Sequence, residues 1–508
     1  MMTNKENTRI AKNTVILYVR MLLVMLVTLY TSRIILQSLG VQDFGIYNVV
    51  GGVVSMFTII TGSLSQAVSR YFTYELGVRN YERLSKIFST ALVIHVILAI
   101  FVLILGETLG SWFLNTKMNI PSERSVAANW VLQTSILAFI FGLIRIPYNA
   151  AIIAYERMDA FAYFGIAEVI FKLIIALLIS YILYDHLITY SCLQLLLNVL
   201  LTIAFVLFGV MKLRGCAFRM QINRQLLKEL LSYSSWSFFG TLAYSGYTYG
   251  YNILLNMFFD PFVNAARGIA VQVQTAVESF SNNFQASLNP QIIKNYSVNN
   301  LDRMHNLIVA SSKYSFFLML ILSLPLILEA NFVLRLWLGQ VPAHSVNFVR
   351  LILVTVTISC LSGSMICSNQ ATGKIKNFEL ISGLLMTASV PVCYIVLKVG
   401  YSPESVYVVY LIFTIMTLIV RMIIVFPMIK FKYKLYFSKV LKYIFSVTLL
   451  SIPIPILVYR KNPGSSFSDF ILVCFVSICS TVLTVYLIGI DNKERNFVNS
   501  KIIKIFRK

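Results

Sequence analysis

Long apolar runs alternate with short polar breaks along all 508 residues of the chain. About fourteen runs can be marked, near 14–36, 44–64, 87–105, 127–146, 161–183, 190–211, 234–258, 266–288, 311–330, 346–367, 379–398, 405–427, 443–459 and 467–490. Each approaches the roughly 20 residues a helix needs to cross hydrocarbon. Their apolar residues are continuous rather than alternating, which predicts spanning helices and not barrel strands. No loop is long enough for a separate soluble domain. The longest outer stretch, 106–126, carries only Glu107 and Glu123 as acids.

The polar residues that interrupt this pattern are the informative ones. The stretch SRIILQSLGVQDFGIY (32–47) breaks the first run with an arginine, a Gly-containing turn and an aspartate. Gly40 and Gly45 let the chain reverse there, and Asp43 is expected to cap the next helix. The eighth span, RGIAVQVQTAVESFSNNFQASLNP, is the most polar. At helical spacing Arg267, Gln274, Glu278, Ser281, Asn282, Gln285 and Asn289 share one face, which must meet protein or water rather than lipid. The second span carries a weaker stripe of Asn48, Ser55, Thr58, Gly62, Ser65, Gln66 and Ser69, open to either helix packing or a hydrated cavity. In the seventh span Tyr244, Tyr247, Tyr249 and Tyr251 suit sugar faces and an interfacial belt equally well. Glu168 and Lys172, four apart on the fifth span, form either a neutralising pair or a gating pair.

Composition agrees with a bilayer as solvent: 58% of residues are hydrophobic, and the mean hydropathy is +0.78. A soluble fold of this size cannot hide so much apolar surface. The net charge of +22 would suggest nucleic acid in a soluble chain. With the N-terminus inside and the spans alternating, thirty of the 42 Lys and Arg fall on the inner side and nine on the outer, with Arg20, Lys172 and Arg421 inside spans. That is the positive-inside bias, so the charge reports topology, both termini are expected in the cytoplasm, and no nucleic-acid partner is expected. The basic loops KLRGCAFRMQINRQLLK and KFKYKLYFSKVLK read as anchors against anionic lipid. The start MMTNKENTRIAKN, polar and basic before a long apolar run, reads as the lead into a first span rather than a signal peptide. Seven scattered cysteines form no CxxC, four isolated histidines form no ligand pair, and no cofactor is expected. Gly373-Lys374 lacks the glycine of a Walker A loop, which argues against direct ATP use.

A shift of 219 residues places Asn48 on Arg267, Ser55 on Gln274, Gly62 on Ser281 and Gln66 on Gln285. A shift of 217 places AYERMDAF (154–161) on ATGKIKNF (371–378). Six spans separate the partners, so the halves share orientation. The expected architecture is an all-α integral membrane protein: one six-helix lobe over 1–215, its parallel repeat over 216–430, and a C-terminal helix pair with a basic tail over 431–508. Repeated halves are the usual build of alternating-access transporters.

The run SRIILQSLGVQDFGIYNVV, the second-span end SLSQAVSRYF and the segment IPYNAAIIAYERMDAFAYFGIAEVIFKL together resemble bacterial polysaccharide (O-antigen-type) flippases. These belong to the multidrug, oligosaccharidyl-lipid and polysaccharide exporter superfamily. The resemblance covers the whole chain. It implies two lobes around a central cavity walled by the first, second, seventh and eighth spans, in a bacterial inner membrane. It implies transport rather than catalysis: an oligosaccharide on undecaprenyl diphosphate, as in lipopolysaccharide biosynthesis, flipped from the cytoplasmic to the periplasmic leaflet. A polysaccharide polymerase and chain-length proteins are the partners it suggests. Related lipid II flippases bind diphosphate with cavity arginines, a role that transfers to Arg20, Arg33, Arg70 and Arg267. The stripe residues Gln274, Glu278, Asn282 and Gln285 complete the expected substrate-binding set, and Glu278 is the candidate for ion or proton coupling.

Two rival readings fit the same pattern of spans. A drug/cation antiporter of the same superfamily would share the fold but should prefer acids in its cavity. A membrane glycosyltransferase or polymerase should carry a sizeable outer loop with catalytic side chains.

Overall fold

The computed structural model describes residues 4–55, 57–117, 120–179, 181–182, 184–219, 223–259, 261–461, 466–491, 494–496 and 499. The described residues are overwhelmingly helical. The helices are α1 (Asn4–Ser55), α2 (Thr58–Gly77), α3 (Tyr81–Leu105), α4 (Ser111–Lys117), α5 (Ser125–Ala154), α6 (Met158–Ile179), α7 (His186–Lys212), α8 (Arg224–Phe258), α9 (Pro261–Ser297), α10 (Leu301–Leu328), α11 (Ala330–Leu338), α12 (Ser345–Ser359), α13 (Ser362–Thr372), α14 (Lys376–Lys398), α15 (Ser405–Met428), α16 (Tyr433–Tyr436), α17 (Lys442–Ser451), α18 (Pro453–Lys461) and α19 (Phe467–Thr484).

Among the described residues ten helical segments are long and apolar enough to cross a membrane, and α12 with α13, bent by 40° at a short break, makes an eleventh. The remaining three of the fourteen expected runs lie in the second half of α1 with α2, in α8 and in α9. In α8 and α9 polar residues keep the segment out of the apolar set, whereas 44–64 is apolar but is divided between α1 and α2 at residue 56, outside the described residues. These are the three spans whose stripes stood out in the sequence.

The chain divides into two compact units, one of residues 2–241 with 293–299, the other of 242–292 with 300–508. The division runs inside α8 and inside α9, and the C-terminal pair belongs to the second unit.

In the first unit α5 packs along α7, α1 along α6, and α2 against both α3 and α5. One part of its core joins Leu64, Val68 and Phe72 of α2 to Leu84, Ile87 and Phe88 of α3 and to Tyr148 of α5. Phe88 meets Tyr148 edge-on at 5.0 Å between ring centres. Small residues let these helices close up, as they do where helix faces meet without a hydrophobic drive. A Cβ at Gly209 of α7 would stand 2.4 Å from the Tyr148 ring. The turn expected at 32–47 is present as a kink between two helical stretches, and Gly40, at φ 76°, makes it. Gly45 is helical and takes no part in the kink. Asp43 differs from its expected role as a cap: both its carboxylate oxygens accept from the Arg124 guanidinium. The same guanidinium also grips Asp185, which caps the start of α7.

In the second unit α14 lies along α15, α12 against α10 and α15, and α19 against α10 and α17. Gly489 sits where a Cβ would press on Phe317 and Val447, so the last span is seated tightly on α10 and α17.

The weak sequence repeat has a firm counterpart in the backbone. Arg79 (φ 58°) precedes Asn80, which caps α3 through the Arg83 N–H. Asn299 (φ 56°) precedes Asn300, which caps α10 through the Arg303 N–H. Glu156 (φ 58°) and Gly373 (φ 74°), paired by the 217-residue shift, make the same left-handed turn at the ends of α5 and α13.

Candidate functional site

Two clusters of interior polar groups, one in each unit, hold many of the residues singled out in the sequence. In the second unit the cluster is built by α8, α9, α14 and α15. Tyr244, Tyr247 and Tyr251 recur every three or four residues along one face of α8, and Tyr247 and Tyr251 are buried. Tyr410 of α15 sits 6.0 Å from Tyr247 and 5.7 Å from Tyr251 between ring centres. Tyr251 also shares a hydrogen bond with Ser389 of α14. Against this wall of phenols lies the α9 stripe. Gln274 donates to Glu278 at 2.9 Å, and Tyr244 and Tyr410 are both near enough to feel the Glu278 charge. Deeper in α15, Arg421 lies 5.5 Å over the Phe378 ring, beside Glu379. The cluster therefore offers two acids, two guanidinium groups and several phenols, a set suited to a hydroxyl-rich or amphiphilic ligand.

The structure divides the α9 stripe. Arg267 is buried and folded back onto α8, donating to the Thr248 carbonyl at 2.6 Å and lying 5.9 Å over Tyr251. Asn282 is exposed. Gln285 points into the unit: its Nε2 donates to Ser281, Ser315 and the Cys360 carbonyl. Expected as one ligand-facing row, these residues thus occupy three different surroundings. The helical wheel gives their common direction but not the neighbour each one meets.

In the first unit the cluster centres on Glu168 of α6. Lys172 bonds it at 2.7 Å and Arg145 of α5 lies 3.6 Å away. Arg20 of α1 adds its charge to the same carboxylate and lies 4.3 Å over the Phe161 ring. Gly165 makes this possible, since a Cβ there would stand 2.3 Å from the Arg20 Nε. Three cations thus share one acid. Arg145 was missed as an interior group, because its place at the inner end of the fourth span reads as an ordinary loop charge. Glu379 and Tyr410 were missed because they are isolated polar residues in otherwise apolar helices.

Of the other expected residues, Arg70 is buried with its guanidinium 4.5 Å over Tyr71 and 5.0 Å over Tyr74. Arg33 is exposed on α1. In the second-span stripe, Gln66 accepts from Ser237 at 3.0 Å. The side chains of Asn48, Ser55 and Thr58 lie outside the described residues. Among the described residues no three His, Cys, Asp or Glu side chains gather as a metal site.

No family model matches the chain, and no curated protein matches it. Solved structures do. A crystal structure of MATE in the straight conformation is 16% identical with a TM-score of 0.72, over 84% of this chain and 96% of that one. An outward-facing multidrug resistance MATE transporter of the MOP superfamily is 14% identical with a TM-score of 0.70, over 85% and 99% of the two chains. A MOP superfamily transporter from Pyrococcus furiosus, described as having a binding pocket of reverse polarity that suggests a different function, is 15% identical with a TM-score of 0.70, over 85% and 99%. At these identities the likeness is one of fold: this chain is an all-α, multi-pass, two-lobed molecule folded as the MATE transporters of the MOP superfamily are.

Proposed function

We propose that this chain is a secondary transporter that carries amphiphilic molecules across the membrane. The observation that carries the reading is the cluster of Glu278, Gln274 and the α8 and α15 tyrosines, set among helices of a transporter fold. The carboxyl group of Glu278 has the placement a coupling group needs: inside the unit, hydrogen-bonded by an amide and near phenols rather than locked to a guanidinium. The phenols offer ring faces to apolar cargo and hydroxyls to polar cargo. Because a matched structure is described as a multidrug resistance transporter, the fold likeness supports a drug or cation antiporter better than a lipid-linked oligosaccharide flippase.

One observation favours the flippase as the second reading. The first-unit cluster sets Arg20, Arg145 and Lys172 against Glu168 alone, an excess of positive charge that suits a diphosphate and not a cation. A matched structure with reversed pocket polarity supports treating pocket charge as a variable of this fold.

Expression in a bacterium stripped of its own drug pumps tests the choice. The antiporter reading expects lower ethidium accumulation in cells with the wild type than in cells with Glu278→Gln. The flippase reading expects no change in ethidium, and loss of surface polysaccharide when the native gene is deleted. A chain that alters neither is not a transporter of either kind.

A further inference from the structure

The last residues of α9 do not belong to the unit that holds the rest of the helix. Residues 293–299 pack with residues 2–241, and three features hold them there. Lys294 Nζ lies 2.5 Å from the Glu156 carboxylate, whose side chain is 2% exposed. Gly77, at the end of α2, is so close to α9 that a Cβ on it would stand 1.9 Å from the Ser297 hydroxyl and 3.1 Å from the Lys294 backbone. Tyr296 lies beside Tyr74 and Arg70 of α2.

Glu156 is an expensive residue for its place. It adopts φ 58° in the short turn between α5 and α6, a conformation that glycine enters freely and glutamate does not. The repeat-related turn between α13 and α14 has Gly373 at the matching position. The first half of the chain therefore keeps a strained, buried acid where its own repeat keeps the unstrained residue. Strain retained at such a position calls for a role that glycine cannot fill, and the ion pair to Lys294 supplies one.

We propose that Glu156 and Lys294 form a latch that ties the end of α9 to the α5–α6 turn and so holds it against the end of α2, and that its release lets the ends of α2 and α9 separate during the working cycle. Gly77 sets the depth of the closed position, and Glu156 supplies the charge that keeps it. The pair is well suited to a reversible closure. Glu156 is buried, so the closed bond is shielded from water, while Lys294 keeps about a quarter of its side chain exposed and reaches solvent as soon as the pair parts.

The test reads the distance between the two helix ends and needs no knowledge of the cargo, so it can fail or succeed independently of the transport reading. Spin labels are placed on Val78→Cys and Val298→Cys, both exposed, with the native cysteines replaced, in reconstituted full-length protein. The wild type should show a short-distance population. Glu156→Gly and Lys294→Gln should each shift the distribution to longer distances. Glu156→Gly should do so with a melting temperature no lower than wild type, because it relieves the left-handed strain. Unchanged distances in either variant would overturn the latch. So would a fall in melting temperature for Glu156→Gly without a change in distance, which would make Glu156 a turn residue only.

Discussion

The side-chain nitrogen of Gln285 lies 2.9 Å from the carbonyl oxygen of Cys360, at the point where α12 gives way to α13 with a 40° bend. A break in a spanning helix frees backbone carbonyls that hydrocarbon cannot satisfy. Gln285 satisfies one of them and also donates to Ser315 of α10 at 3.1 Å, pinning three helices together. Gly363 leaves the room: a Cβ there would stand 1.8 Å from the Gln285 Oε1.

Gln285→Leu should therefore destabilise the detergent-solubilised protein by about 1–3 kcal/mol, the usual cost of leaving a buried carbonyl unpaired. Gly363→Ala should be comparably damaging alone. The double variant Gly363→Ala with Gln285→Ala should be less destabilised than the sum of the two, because the clash and the long side chain disappear together. Melting curves for the set check this, and strict additivity would show that the two residues do not share a space.

A second buried cation gives a separate prediction. Lys313 of α10 is 3% exposed and bonds Glu494 at 2.8 Å, with Tyr443 and Tyr314 around it. Glu494 lies beyond the last span, so this described part of the chain after α19 packs into the second unit. Glu494→Gln should lower stability by roughly 1–3 kcal/mol, since one member of a mostly buried pair is left without its partner. Adding Lys313→Met should recover most of the loss. Thermal unfolding of the three variants decides it.

Charge balance in the first-unit cluster is testable in the same way. Glu168→Gln removes the acid shared by Arg145, Lys172 and Arg20, and melting should fall. An anionic amphiphile such as dodecyl phosphate should restore stability in Glu168→Gln more than in the wild type, because the three cations then lack an internal partner. Equal effects on both proteins would mean that the cluster does not accept an external anion.

At the start of α7, burial tends to raise the Asp185 carboxyl pKa. The Arg124 guanidinium and the N–H groups of Leu187 and Ile188 more than offset that, and hold it below the usual carboxylate value. A depressed folded pKa adds stability that is fully present above the unfolded value, about 3.9 for an aspartate, and is lost as pH falls through the folded one. Acid unfolding of the wild type should thus steepen below about pH 4. Asp185→Asn should be less stable at neutral pH and show a shallower acid limb.

Much of this molecule is legible in its sequence because the bilayer imposes a coarse rule. Continuous apolar runs mark the helices, and the stripes on the second, seventh and eighth spans mark the helices that cannot face lipid on every side. The repeat was also readable, although Arg79–Asn80 against Asn299–Asn300 is far clearer as a pair of turns than as letters. What the sequence hid were partners. Assigning charges by loop position counted Arg145 and Lys313 as inner-surface anchors, yet both are interior groups paired with acids. Asp43 read as a helix cap because capping is local, whereas its real partner, Arg124, is 81 residues away. Gln285 shared a helical face with Glu278 but not its surroundings, since a wheel carries no information about the neighbouring helices.

The most direct test of the transport reading is gradient-driven movement by the purified protein in sealed proteoliposomes. With a pH gradient imposed, ethidium should accumulate against its own gradient in vesicles holding the wild type and equilibrate passively in vesicles holding Glu278→Gln. Protection of a fluorescent polyprenyl-diphosphate sugar from an external quencher, in place of ethidium uptake, would transfer the account to its second reading. Rates for both probes equal to those of protein-free vesicles would contradict it.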